Sequence, residues 1–190
     1  KEAGADAVKF QHFNSQQLWG DGRIKHLELT DVEIALLWSR CKDREIEFMC
    51  TPFDPVTALF LQPLLKRYKI ASGCLEKWYL LHAILDTEKP VILSTGMSGV
   101  ERIHEAMRAL GYLQPGQYKQ EYSLLHCVSA YPCKAKDANL AGMDVLKHHY
   151  GDRCQIGYSD HTQGITVAIA AVARGAKIIE KHLTLDRNAE

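Results

Sequence analysis

The stretch Cys154–Thr184, CQIGYSDHTQGITVAIAAVARGAKIIEKHLT, is one complete strand–helix–strand unit, and its reading decides the fold. Cys154–His161 (CQIGYSDH) and Ala176–Thr184 (AKIIEKHLT) are short apolar runs that turn polar at their C-terminal ends, as buried strands do. Gly164–Arg174 between them has helical character, and the glycine of RGAK ends it before the second strand begins. Each strand finishes on groups with chemistry: Asp160 and His161 on one, Glu180 and His182 on the other.

The same unit recurs through the chain. Further strands are expected at Ala7–Gln11, Glu47–Phe53, Tyr68–Ser72, Pro90–Gly96 and Tyr122–Ala130. Helices are expected at Thr30–Arg44, Pro55–Lys66, Lys77–Asp86, Val100–Leu110 and Leu140–His149. The first opens on a capping signal, Thr30 followed three residues later by Glu33. Strict alternation of seven strands with six helices implies a parallel sheet. The options are a doubly wound open sheet and a (β/α)₈ barrel. Polar residues end every strand: Lys9 and Gln11, Thr51, Lys69 and Ser72, Ser94 and Thr95, Ser129, Asp160 and His161, Glu180 and His182. A barrel places its active site at that edge, whereas a doubly wound sheet gathers ligands at one switch point. The expectation is an α/β (β/α)₈ (TIM) barrel forming a single domain over residues 1–190, one strand short. The missing strand is expected before KEAG (1–4), which has the look of a helix cut in its middle, and DRNAE (186–190) stops just after a strand; a fragment of a longer protein is expected.

Composition narrows the function. The chain has 190 residues, 46% of them apolar, and 23 Lys+Arg against 23 Asp+Glu, a formal net charge of zero. That is no electrostatic footprint for a nucleic acid or a membrane surface, so an anionic ligand has to be met by a few local cations. The six cysteines form no CxxC pair, which fits reduced thiols in a cytoplasmic protein better than zinc or a disulfide framework. No run is long enough to span a membrane, and no signal peptide opens the chain.

His161 and His182 end strands that are neighbours in a barrel. Either they share one divalent ion, with water or substrate oxygens filling the other positions, or one of them hydrogen-bonds Asp160 or Glu180 and no metal is held. Lys9 and Lys69 interrupt apolar strands, and a buried ammonium needs an anionic partner. That partner is a phosphate, helped by the hydroxyls of Thr51, Ser72 and Ser94, or a carboxylate such as Glu180. Ser94-Thr95-Gly96-Met97-Ser98 ends a strand and lets an anion approach backbone N–H groups, although the bare pattern is also an ordinary turn.

Taken in order, GADAVKFQ (4–11), TPFD (51–54), KIASG (69–73), KPVILSTGMS (89–98), LLHCVSAYP (124–132), GYSDHTQG (157–164) and GAKIIEKHLTLDR (175–187) resemble the sialic acid synthase family, which includes the pseudaminic, legionaminic and spore-coat polysaccharide synthases. The resemblance implies a (β/α)₈ barrel followed by a small antifreeze-like domain, in a homodimer. It implies a transferase that condenses phosphoenolpyruvate with an N-acylated amino-sugar aldehyde such as N-acetylmannosamine, giving a sialic-type (nonulosonic) acid and phosphate. The implied cofactor is a divalent ion, manganese or else magnesium, held by His161 and His182. Lys9, Gln11, Thr51, Lys69, Ser72, Ser94 and Ser129 are implied to hold phosphoenolpyruvate through its phosphate and nearby oxygens, and Ser159 its carboxylate. Tyr131 and Asp160 are implied to line the sugar side, with Glu180 as an acid/base or orienting group beside the metal.

The chain departs from that family in three ways. The first strand with its glutamate and the C-terminal domain with its arginine are absent, and Cys74 stands where the family has a carboxylate after KIASG. Residues two apart on an extended segment face the same way, so Glu76 is expected to replace that carboxylate and serve in catalysis. The competing readings are a related barrel condensing phosphoenolpyruvate with a sugar phosphate, of the octulosonate- or heptulosonate-phosphate type, and a degenerate non-catalytic barrel that binds sugar or metal.

Overall fold

A computed structural model of the chain describes residues 2–20, 22, 24–112 and 120–184. The readings of Lys1 and of the segment from Leu185 onward lie outside the described residues. Within them the seven expected strands form: β1 (Ala7–His12), β2 (Glu47–Pro52), β3 (Tyr68–Ile70), β4 (Val91–Ser94), β5 (Tyr122–Cys127), β6 (Cys154–Asp160) and β7 (Ile179–Lys181). Between them run α1 (Ser15–Trp19), α2 (Asp31–Asp43), α3 (Pro55–Leu61), α4 (Trp78–Leu85), α5 (Val100–Ala109), α6 (Gly142–Tyr150) and α7 (Thr166–Ala173). The short α1 was not expected from the sequence. The capping box at Thr30 forms as its spacing predicts, with Glu33 N–H donating to Thr30 Oγ1 at 3.2 Å and Thr30 N–H to Glu33 Oε2 at 2.7 Å. Helix α3 is shorter than expected because Pro63 lacks an N–H and cannot sit in a helix interior.

Every ladder is parallel and the strands follow chain order, β1-β2 in one ladder and β3-β4-β5-β6-β7 in another. Strand β2 packs beside β3 without a ladder between them. Below that break Arg67 Nε donates to Glu47 Oε1 at 2.8 Å. Among the described strands the order never reverses, which a doubly wound sheet would require. The closed eight-stranded barrel of the sequence reading is not seen in full; the described residues form an α/β half-barrel of parallel strands.

The period of two along each strand sorts side chains onto two faces. On the outer face Phe48, Tyr68, Val91, Leu93, Leu124, Ile156 and Tyr158 pack against Ile34, Leu81, Ile103, Met107 and Val167 from the helices. On the inner face Met49, Ile92 and Leu125 form a separate small cluster, joined by Ala7 and Ile178. Ala7 belongs to β1 and Ile178 directly precedes β7. Their meeting on one cluster means that the sheet curves until its first and last strands face a common interior.

That curvature requires a glycine on β6. A Cβ at Gly157 would lie 2.6 Å from Leu125 Cδ2 and press on the Ile178 carbonyl oxygen, a backbone atom that cannot step aside. The cysteines are all unpaired and buried, and no described helix is long and apolar enough to cross a membrane. Gly157→Ala is expected to cost about 1–3 kcal/mol by overpacking, read as a lower denaturant midpoint with far-ultraviolet dichroism retained.

Candidate active site

Above the apolar inner tier, the inner face turns polar. Lys9 of β1 and Lys69 of β3 both reach the carboxylate of Glu180 on β7: Lys9 ion-pairs with Oε1, and Lys69 Nζ lies 3.6 Å from Oε2. Lys69 is only 3% exposed, and its ammonium donates to Ser94 Oγ at 2.8 Å and to the Ile70 carbonyl at 3.0 Å. Ser159 Oγ donates to Glu180 Oε2 at 2.6 Å. Burial lowers the Lys69 pKa to about 8, partly offset by Glu180. Burial alone would raise the Glu180 carboxyl, but Lys69, Lys9 and the Ser159 hydroxyl outweigh it and hold the carboxyl down at about 2. Of the two partners left open for the lysines, the carboxylate is the one this structure shows.

Beside this cluster, Gly96 makes room for three side chains. Its N–H donates to Ser72 Oγ at 2.9 Å, and Ser72 Oγ lies 3.1 Å from Cys127 Sγ. A Cβ at Gly96 would stand 2.6 Å from Ser129 Oγ and 2.7 Å from Cys127 Sγ. On the other side, Thr51 lies opposite Gln11 in the β1–β2 register. The Thr51 hydroxyl is buried with no hydrogen-bond partner among the described residues, while Gln11 is exposed. An unmatched buried hydroxyl costs free energy unless a ligand oxygen meets it.

The two histidines come together at the end of β6 and β7. Their rings meet edge to face with centroids 5.3 Å apart, and Tyr131 covers both, at 4.2 Å from His161 and 5.5 Å from His182. His161 Nδ1–H donates to the Val128 carbonyl at 2.7 Å, which leaves Nε2 with its lone pair free. Burial lowers the pKa of His182, and His161 and Lys9 lower it further, so a neutral, ligating imidazole is favoured. No group of three or more His, Cys, Asp or Glu able to hold an ion occurs among the described residues. The donor set is therefore two imidazole nitrogens, which fits an open site completed by water or substrate oxygens.

A family model described as the NeuB family matches residues 1–190. The chain belongs to the NeuB family. It is 35% identical to an N,N'-diacetyllegionaminic acid synthase of Campylobacter jejuni over 98% of this chain and 61% of that protein. It is 31% identical to a pseudaminic acid synthase of Helicobacter pylori over 100% of this chain and 60% of that one. Among solved structures, an N-acetylneuraminic acid (sialic acid) synthetase of Leptospira borgpetersenii in complex with citrate superposes with a TM-score of 0.90 at 38% identity, over 98% of this chain and 65% of that one. A truncated 3-deoxy-D-arabino-heptulosonate 7-phosphate synthase of Thermotoga maritima shares the fold alone, with a TM-score of 0.67 at 13% identity. The chain thus spans about three-fifths of the length of the curated relatives named here.

Two expectations for this NeuB-family chain need correction. Glu76 does not replace the family carboxylate at Cys74. Ser72–Cys74 is a 3₁₀ turn and Leu75 after it is also helical, so the segment is not extended and Cys74 and Glu76 do not share a side. Cys74 is wholly buried in the core, and Glu76 is an exposed partner of Arg102 on α5. Asp160 does not face the sugar side either. Its Oδ1 accepts from Thr162 N–H and Oγ1–H, and its Oδ2 from Lys181 Nζ, on the face opposite Ser159 and Glu180. Burial would raise the Asp160 carboxyl, but Lys181 and Thr162 hold it below its ordinary value. The sequence reading also passed over Cys127, whose thiol meets Ser72 beside the lysines, and Lys181, which holds Asp160 on the opposite face. Cys127 ends a strand within HCVSAYP, a signal that placed Ser129 but was not extended to the thiol.

Because Glu180 is ionised in the folded state far below its ordinary range, its stabilising contribution is complete above about pH 4.5 and is lost as pH falls through about 2. Unfolding midpoints of the native chain are expected to drop more steeply across that interval than those of Glu180→Gln, measured by denaturant titration at stepped pH.

Proposed function

We propose that this chain is the catalytic barrel of an enzyme that condenses phosphoenolpyruvate with an N-acylated amino-sugar aldehyde, giving a nonulosonic acid and phosphate. The observation that carries the reading is the sharing of Glu180 by Lys9 and Lys69 beside the paired histidines. It gives one strand-end edge both a cationic seat for a phosphate and a pair of imidazole nitrogens for a metal. The names of the relatives, synthases of legionaminic, pseudaminic and sialic acids, support the product class.

In this reading the phosphate of phosphoenolpyruvate displaces Glu180 from the two ammoniums. Ser94, already bonded to Lys69, and Ser72, held by the Gly96 amide, stand ready to donate to its oxygens. Thr51 supplies the buried hydroxyl that lacks a partner, and Ser159 turns from Glu180 to the substrate carboxylate. The C3 carbon of phosphoenolpyruvate then bonds to the aldehyde carbon, whose oxygen becomes a hydroxyl. Water adds at C2, Glu180, released from the lysines, passes one of its protons to the former aldehyde oxygen, and the C2–O bond to phosphate breaks as the remaining proton of the C2 hydroxyl leaves with the phosphate, giving a 2-keto acid. The lysines stabilise the charge that grows on the departing phosphate. A divalent ion such as manganese, held by His161 Nε2 and by His182, would polarise the aldehyde oxygen. Seven parallel strands in chain order, with the first and last facing one interior, support a barrel closed by one further strand.

The direct test is phosphate release and 2-keto acid formation by the full chain as encoded, given phosphoenolpyruvate and a panel of N-acylated amino-sugar aldehydes. A chelator is expected to abolish turnover and manganese to restore it, and His161→Ala to lose bound metal while staying folded. Lys69→Met is expected to weaken phosphoenolpyruvate binding by about 2–5 kcal/mol, the cost of removing one partner of a buried charge pair, with sugar affinity little changed. Release of phosphate only when a sugar phosphate is supplied would instead favour the sugar-phosphate condensing reading.

A further inference from the structure

The two histidines stand on separate strands, and the edge between β6 and β7 is short: the ladder joins only Tyr158–Ile179, Ser159–Glu180 and Asp160–Lys181. Both histidines lie one residue past that register, where no strand pairing sets their separation. What crosses the gap is a set of side-chain bonds on the opposite face. Asp160, wholly buried, accepts from Thr162 N–H at 2.9 Å and from Thr162 Oγ1–H at 2.7 Å. Lys181 Nζ donates to Asp160 Oδ2 at 2.7 Å and also to the Thr162 carbonyl at 2.6 Å.

Residues 160 and 162 flank His161, and residue 181 precedes His182. One ammonium therefore ties both neighbours of the first histidine to the neighbour of the second. The loop beneath is pinned as well, since Cys133 N–H donates to the His161 carbonyl at 2.8 Å and Cys133 bridges Thr162. We propose that Asp160, Thr162 and Lys181 form a staple that sets the separation of the His161 and His182 rings, making Lys181 and Asp160 positioning residues for a metal ion rather than groups that touch substrate. The inference rests on the metal reading given above.

A staple of this kind acts as an outer shell, whose loss typically lowers metal affinity by about 10–100-fold while leaving the ligands in place. The experiment is a titration of the full chain with Mn(II), followed by electron paramagnetic resonance, with phosphoenolpyruvate binding measured separately on the metal-free protein. Lys181→Met is expected to raise the Mn(II) Kd by about 10–100-fold, with phosphoenolpyruvate Kd unchanged, since that ligand is held by Lys9 and Lys69. Lys181→Arg, which keeps the charge and two donors, is expected to recover most of the affinity. If the native chain binds no Mn(II), the metal reading itself fails. If the native chain binds Mn(II) and folded Lys181→Met binds it equally well, the staple is overturned and the pair only stabilises the fold. Should Lys181→Met not fold, Thr162→Val decides, because it removes one bond to Asp160 and keeps the ion pair: a several-fold weaker Mn(II) affinity is expected, and an unchanged one overturns the proposal.

Discussion

The site is organised by one carboxylate held between two ammoniums. Glu180 comes from β7, Lys9 from β1 and Lys69 from β3, so a single anionic group draws together strands far apart in the chain. Lys69 in particular, only 3% exposed, is cut off from water and depends on that counter-charge. The Ser159 hydroxyl gives the shared carboxylate a further partner on the same face.

The cluster depends on the tier below it. Ala7, Met49, Ile92, Leu125 and Ile178 form a dry floor beneath the ion pairs, and Gly157 lets the β7 backbone approach closely enough for that floor to close. Beside the lysines, Gly96 plays the same part for Ser72, Cys127 and Ser129. At both positions the missing Cβ is replaced by a neighbour's atoms, so side chains from different strands converge on one volume. Burial strengthens the attraction between lysine and anion, and it is also what lowers the pKa of Lys69.

Two carboxylates near the mouth are thereby assigned different work. Asp160 and Glu180 both end strands, yet one meets Thr162 and Lys181 and the other meets Lys9 and Lys69. Asp160 holds the backbone at Thr162, and Glu180 is held between the two ammoniums of the inner face. Cys74 and Glu76 part in the same manner: the 3₁₀ turn that brings Ser72 toward Gly96 sends the thiol into the core and leaves the glutamate to Arg102.

The chain by itself determined the alternation of strands and helices, the parallel sheet, and the polar strand ends that carry Lys9, Lys69, His161, Glu180 and His182. Those are local signals: apolar period, caps, glycines, and charges that interrupt buried runs. Which face each residue takes was decided only by the tertiary structure. Strand β4 runs Val91, Ile92, Leu93 with apolar side chains on both faces, because helices cover one face and the interior tier covers the other, so no alternation there marks inside from outside. Register and curvature then chose Glu180 over Asp160 as the partner of the lysines, and turned two lone histidines into a pair.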